Sequence, residues 1–132
     1  MKKISLLFIL LLLFLTSCRK EKNRICEIYD NEHGYAVGKI ESSITVPTRV
    51  TYNYNFKIAG ASYSGKLKEY GIGQEDSKMI GRSYLVVYET SNPENSHLNT
   101  YYRIFEESDF IELANQFEEE PPVPNWPEKC KN

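Results

Sequence analysis

Arg49-Val50-Thr51-Tyr52-Asn53-Tyr54-Asn55-Phe56-Lys57-Ile58 alternates polar and apolar side chains without a break. Successive side chains of a strand point to opposite faces. The stretch therefore predicts a strand with Val50, Tyr52, Tyr54, Phe56 and Ile58 on one apolar face and Thr51, Asn53, Asn55 and Lys57 on a wet one. Ala59-Gly60 ends the run, and Ser62 to Tyr70 resumes it with Tyr63, Gly65 and Leu67 sharing a face. A short connection containing glycine between two such runs is the signature of a β-hairpin.

Downstream of the hairpin, residues 71–81 hold three glycines with Asp76 and Ser77, which predicts a loop. Arg82 to Glu89 is different in kind. Tyr84, Val86 and Tyr88 fall on one face and Leu85 and Val87 on the other, so both faces are apolar and the strand needs a cover on each side. Asn92-Pro93-Glu94-Asn95 has turn composition, and Thr100 to Phe105 predicts a further strand. The second cover is expected from a helix over 108–119. Ser108 is its N-cap, Asp109 lies in its first turn, and Phe110, Leu113, Ala114 and Phe117 form an apolar stripe at i, i+3, i+4 and i+7. Pro121-Pro122 ends it, and the extended run to Pro127 would carry Trp126 and Cys130 back towards the domain.

Upstream, Tyr35 to Val46 reads as a strand in which Gly38 permits a bulge, and Pro47 interrupts the ladder. Residues 30–34 read as a turn, and Ile25 to Tyr29 as a short first strand. The expected fold class is α+β, mainly β: a small antiparallel sheet or partly open barrel of about five strands, with one C-terminal helix packed on it.

The N-terminus is a leader. Lys2 and Lys3 form a positive n-region before the ten-residue apolar run Leu6 to Leu15. Such a run is too short to span a bilayer but right for a signal peptide. Leu15-Thr16-Ser17-Cys18 then resembles a bacterial lipobox. The resemblance implies cleavage before Cys18, a diacylglyceryl group on its sulfur, and acylation of its new amine, with palmitate for example. Arg19 stands after the cysteine where an inner-membrane retention signal would place Asp, so the resemblance implies the outer membrane. An ordinary secretory leader with an incidental cysteine is the alternative, and it leaves unexplained why the cysteine sits where the apolar run stops. The expected organisation is signal peptide 1–17, lipidated tether 18–24, and a single β-rich domain 25–132.

Removing the first 17 of 132 residues leaves 115, a length for one domain. Without Lys2 and Lys3, 14 of the 16 basic residues remain against 18 acidic ones, a side-chain balance of −4. No strongly basic patch stands out in the sequence, which argues against nucleic acid as a partner. With lipid on Cys18, Cys26 and Cys130 are an even pair in an oxidising compartment and are expected to form a disulfide; two free thiols are the alternative.

Tyr52-x-Tyr54-x-Phe56-x-Ile58-x-Gly60-x-x-Tyr63-x-Gly65, followed by Gly81-x-x-Tyr84-x-Val86-x-Tyr88, Asn92-Pro93 and Leu98, resembles a widespread bacterial family of small β-domains. These are found as lipoproteins or between membrane helices. The resembling residues are core positions, turn glycines and a strand-ending Asn-Pro, so the resemblance implies a fold and brings no catalytic residues.

The search for chemistry yields no catalytic residue, no metal site and no cofactor site. No GxSxG elbow, phosphate loop or CxxC pair occurs. His33 beside Asp30 and Glu32, and His97 after Asn-Pro-Glu-Asn-Ser, read as loop residues. Glu106-Glu107 and Glu118 to Glu120 read as solvated surface rather than a paired-carboxylate site. Asn53 and Asn55 among tyrosines invite a glycan-platform reading, yet the alternation itself favours strand packing. The expected function is a membrane-anchored envelope lipoprotein acting as a non-catalytic binding or interaction module. Its expected partners are the membrane through Cys18 and an envelope protein or glycan. The alternative is an envelope enzyme acting on peptidoglycan or glycans.

Overall fold

The computed structural model describes residues 2–70, 77–120 and 122, with side chains outside 2–4, 13–19, 22, 70 and 77. A long helix α1 (Lys2–Asp30) leads into five strands: β1 (His33–Val46), β2 (Arg49–Ile58), β3 (Ala61–Tyr70), β4 (Ser83–Glu89) and β5 (Asn92–Ile104). A 3-10 turn at Ser77–Met79 precedes β4, and helix α2 (Glu107–Gln116) follows β5. The strands form one antiparallel sheet in the order β3-β2-β1-β4-β5. It curls until its edge strands β3 and β5 come within 8 Å, Cα to Cα, without joining into a ladder. This is the partly open, mainly β architecture expected from the alternation.

The inner face of the curl holds the main core. Ile40, Val50, Tyr52, Tyr54, Phe56, Leu67, Tyr84, Val86 and Leu98 are buried there. Phe56 stacks between Tyr63 and Tyr88, with ring centroids 5.6 and 6.1 Å away. Tyr54 lies across Gly65, its partner in the β2–β3 register, where a Cβ would meet the ring. The hairpin turn between these strands has Ala59 at φ 48° and Gly60 at φ 84°. Two successive positive φ values match the twist of a right-handed hairpin.

The second core lies outside the curl. Leu85 and Val87 of β4 pack there with Ile28, Ile104 and Phe117. Both faces of β4 are thus covered, as its two-sided apolar pattern requires. Two helices provide the outer cover: α2 through Phe110, Leu113 and the C-cap Phe117, and the C-terminal part of α1 through Ile28 and Tyr29.

Several expectations change. Ile25 to Tyr29 is the last turn and a half of α1, not a strand, because Ile25, Ile28 and Tyr29 form a helical stripe against the sheet. Residues 19–24, expected as a loose tether, belong to the same helix. Asn92 to Asn95 is the start of β5; the turn is Thr90-Ser91. The N-cap of α2 is Glu106 rather than Ser108, since the Asp109 carboxylate accepts the Phe105 and Glu106 amides, each at 2.8 Å. The irregularity of β1 falls between Ile40 and Ser42 rather than at Gly38. Most of the expected 71–81 loop and the proline-rich tail with Trp126 and Cys130 lie outside the described residues.

Candidate functional site

Arg24 ties the N-terminal helix α1 to the sheet. Its Nε and Nη2 donate to the two carboxylate oxygens of Glu21 at 3.2 and 2.7 Å, one turn earlier on α1. Its Nη1 donates to Asn95 Oδ1 at 2.8 Å and to the Ser96 carbonyl at 3.1 Å, across on β5. Asn95 passes the contact on, donating from Nδ2 to Glu89 at 3.1 Å. Charge-assisted, forked contacts of this kind are stronger than neutral hydrogen bonds. The Glu21 carboxyl is held below the usual carboxylate range by its hydrogen bond from Arg24, with further help from the charges of Arg24 and Lys68.

Beneath Arg24, the buried Tyr54 hydroxyl meets Ser96 Oγ at 2.8 Å. Tyr54 stands on β2 and Ser96 on β5, so this bond crosses the seam that the sheet leaves unlaced. Burial pushes the Tyr54 phenol up to about 12, against the opposing effect of the Ser96 bond. Further along α1, Asn99 Nδ2 donates to the Tyr29 hydroxyl at 2.9 Å, and burial raises the Tyr29 phenol well above its ordinary value. His33 Nε2 and the Tyr35 hydroxyl are 3.1 Å apart.

These polar groups occupy one another. His97, expected in a loop, is buried in β5 with its ring 6.2 Å from that of Tyr29. His33 begins β1 rather than lying in a turn. Among the described residues no three His, Cys, Asp or Glu side chains gather as a metal site would. Tyr52 and Tyr54 point into the core, whereas Asn53 and Asn55 lie on the outer face, so the strand alternation separates the members of a glycan platform.

Two open faces remain. On the outer face of β1–β2–β3, a groove of about 930 Å³ runs past Lys39, Glu41, Asn55, Lys57 and Ser64 to a rim at Tyr35 and Phe110. On the other side, three extra residues bulge from β5 where Tyr84 pairs with Arg103 and Leu85 with Asn99. This bulge and α2 border a groove of about 370 Å³ with Tyr101, Arg103, Phe105 and Glu112 in its walls. Arg103 sits 4.3 Å over the Phe105 ring, and Tyr101, Phe105 and Ile111 are all exposed. The chain matches no protein family, no curated protein and no solved structure.

Cys26 is half-buried on α1 and disulfide-bonded. Cys130 and the Cys18 side chain are outside what is described, and the Cys26–Cys130 pairing stays a proposal. The sequence reading missed Arg24, Asn95, Ser96 and Asn99. The available signal was the helical spacing of Glu21, Arg24, Ile25 and Ile28, which continues the N-terminal helix onto the sheet.

Proposed function

We propose that this chain is an envelope lipoprotein, anchored through lipid on Cys18, that works as a non-catalytic interaction module. One observation carries the reading: where packing begins along α1. Leu6 to Leu12 point into solvent from every side of the helix, with 49–76% of each residue exposed. A helix apolar all round is stable only inside a core or a membrane. Seven residues after Cys18 the helix is part of the protein, with Ile25 at 7% and Ile28 at 0% exposure. The change from unpartnered to docked helix brackets the lipobox, as a leader removed before Cys18 requires. Among the described residues no helix is long and apolar enough to cross a membrane, and a lipid chain would hold the protein without one.

The non-catalytic reading rests on what the polar side chains do. Arg24, Tyr29, Tyr54, Glu89, Asn95, Ser96 and Asn99 are engaged in joining α1 and the strands to one another. The exposed Tyr101–Phe105–Ile111 surface beside α2 supports an envelope protein as the partner, since aromatic residues and arginine are enriched where proteins meet.

Metabolic labelling with a fatty acid, followed by fractionation of wild type and Cys18→Ala, tests the anchor. Wild type should carry label and sediment with the outer membrane. Cys18→Ala should lose the label and either accumulate with its leader attached or appear in the soluble fraction. A processed, membrane-retained Cys18→Ala protein would show the assignment to be wrong.

A further inference from the structure

The outer face of β1–β2–β3 gathers charge that is scattered in the sequence. Strand register places Lys39 beside Asn55, which in turn pairs with Ser64, and sets Lys57 beside Ser62, Lys66 beside Asn53, and Lys68 beside Thr51. All four lysines are exposed. Arg49 adds a fifth positive charge at the end of β2, and Glu41 and Glu94 are the carboxylates that line the groove on this face. The segment around α2, whose Phe110 reaches the rim of the groove on this face, has the reverse sign: from Phe105 to Glu120 the chain carries seven carboxylates and no basic residue. The four lysines gather on one face although the side chains after residue 17 balance to a net −4.

The basic face lies near the helix that would carry the anchor: Arg24 bonds to Asn95 and Ser96 on β5, and β5 comes within 8 Å of β3, the strand of Lys66 and Lys68. Glu21, which feels the charge of Lys68, lies three residues after Cys18 on the same helix. Three helical residues advance about 4.5 Å. Arg24 fixes that helix to β5, so the direction from domain to anchor is set by the fold.

We infer that the Lys39–Lys57–Lys66–Lys68 face docks on anionic phospholipid headgroups of the bilayer that holds Cys18. The inference rests on the lipid-anchor reading. Its physical basis is complementarity: a lysine near an anionic leaflet contributes roughly fivefold to partitioning. Long lysine stems let four ammonium groups reach a common plane from a curved sheet.

The test uses acylated protein purified from its own envelope and reconstituted into vesicles of phosphatidylcholine, with or without phosphatidylglycerol. Amine acylation is followed lysine by lysine by mass spectrometry, with Lys78 on the 3-10 turn as the internal reference. In the anionic vesicles, labelling of the four lysines should fall about fivefold relative to Lys78. It should recover on the order of 1 M salt, where screening cuts the range of attraction to about 3 Å. Equal labelling in the two kinds of vesicle, with the Cys18 peptide shown to be acylated, overturns the docking inference and leaves the anchor intact. A Cys18 peptide without lipid overturns the anchor reading and this inference with it. Protection that appears in detergent and grows with protein concentration identifies a second copy as the occupant, and protection only after adding envelope extract identifies an acidic protein; either result overturns the headgroup assignment.

Discussion

Tyr54 does two jobs with one hydroxyl. Its ring fills the space over Gly65, and its oxygen ties β2 to Ser96 on β5 across the unlaced seam. Tyr54→Phe keeps the ring and strands a buried serine hydroxyl, which costs about 1–3 kcal/mol. Denaturant unfolding at neutral pH should show this loss. The same residue sets an alkaline limit. Its folded pKa, about 12, lies above the ordinary tyrosine value, so the folded state holds the proton more tightly than the unfolded one. That contribution is complete below about pH 10 and is lost as pH rises towards 12. Wild-type stability should fall across this window, and Tyr54→Phe should fall less steeply. Equal slopes for the two proteins would remove Tyr54 as the cause.

At the scale of elements, α2 is a cover held by few residues. No residue within Glu107–Gln116 is fully buried, and Phe117 at its C-cap is the helix's deepest contact, 8% exposed against Tyr35 and Tyr102. Phe117→Ala should therefore cost about 3 kcal/mol, at the low end for a buried phenylalanine, and should raise amide exchange in α2 before it does so in β1–β3. An unchanged denaturation midpoint would contradict this packing. The strands with alternating or two-sided apolar patterns were legible for this reason: each inward position of β2 and β4 must be apolar, and the pattern records it. The first half of β5 was not legible. Asn95, Ser96, His97 and Asn99 look like loop residues, and their place in a strand depends on partners from distant parts of the chain, namely Arg24, Tyr54 and Tyr29. The basic face was hidden for a related cause: its lysines come from three strands and meet only through register. The helix α1 was misread because the charged stretch from Arg19 to Arg24 looks solvated until Asn95 and Glu21 are seen to receive the arginine.

For the whole molecule, the two ends of the domain are the weak points. The helix α1 is fastened to the sheet by Arg24, Ile28 and Tyr29, while Pro122 is buried just beyond α2. We propose that the disulfide at Cys26 closes on Cys130, since Cys18 is reserved for lipid. Closing a loop of about 100 residues stabilises by roughly 4.7 kcal/mol in the chain-entropy model. Non-reducing peptide mapping should recover the Cys26–Cys130 pair, and reduction should lower the thermal midpoint by many degrees. Recovery of Cys26 joined to Cys18 would refute both the pairing and the lipid assignment.

The clamp made by Arg24 also sets a working radius. With lipid on Cys18, as proposed, less than two turns of helix would separate the anchor from the docked pair Glu21–Arg24. Even if residues 18–21 unwound completely, three residues would span only about 10 Å. A lipoprotein on a long leash can search the depth of its compartment, whereas a chain anchored in the proposed way would be confined to a shell one domain thick. Whatever it recognises would then have to arrive at the bilayer itself, and two-dimensional diffusion along that surface, rather than extension away from it, would govern how the two find each other.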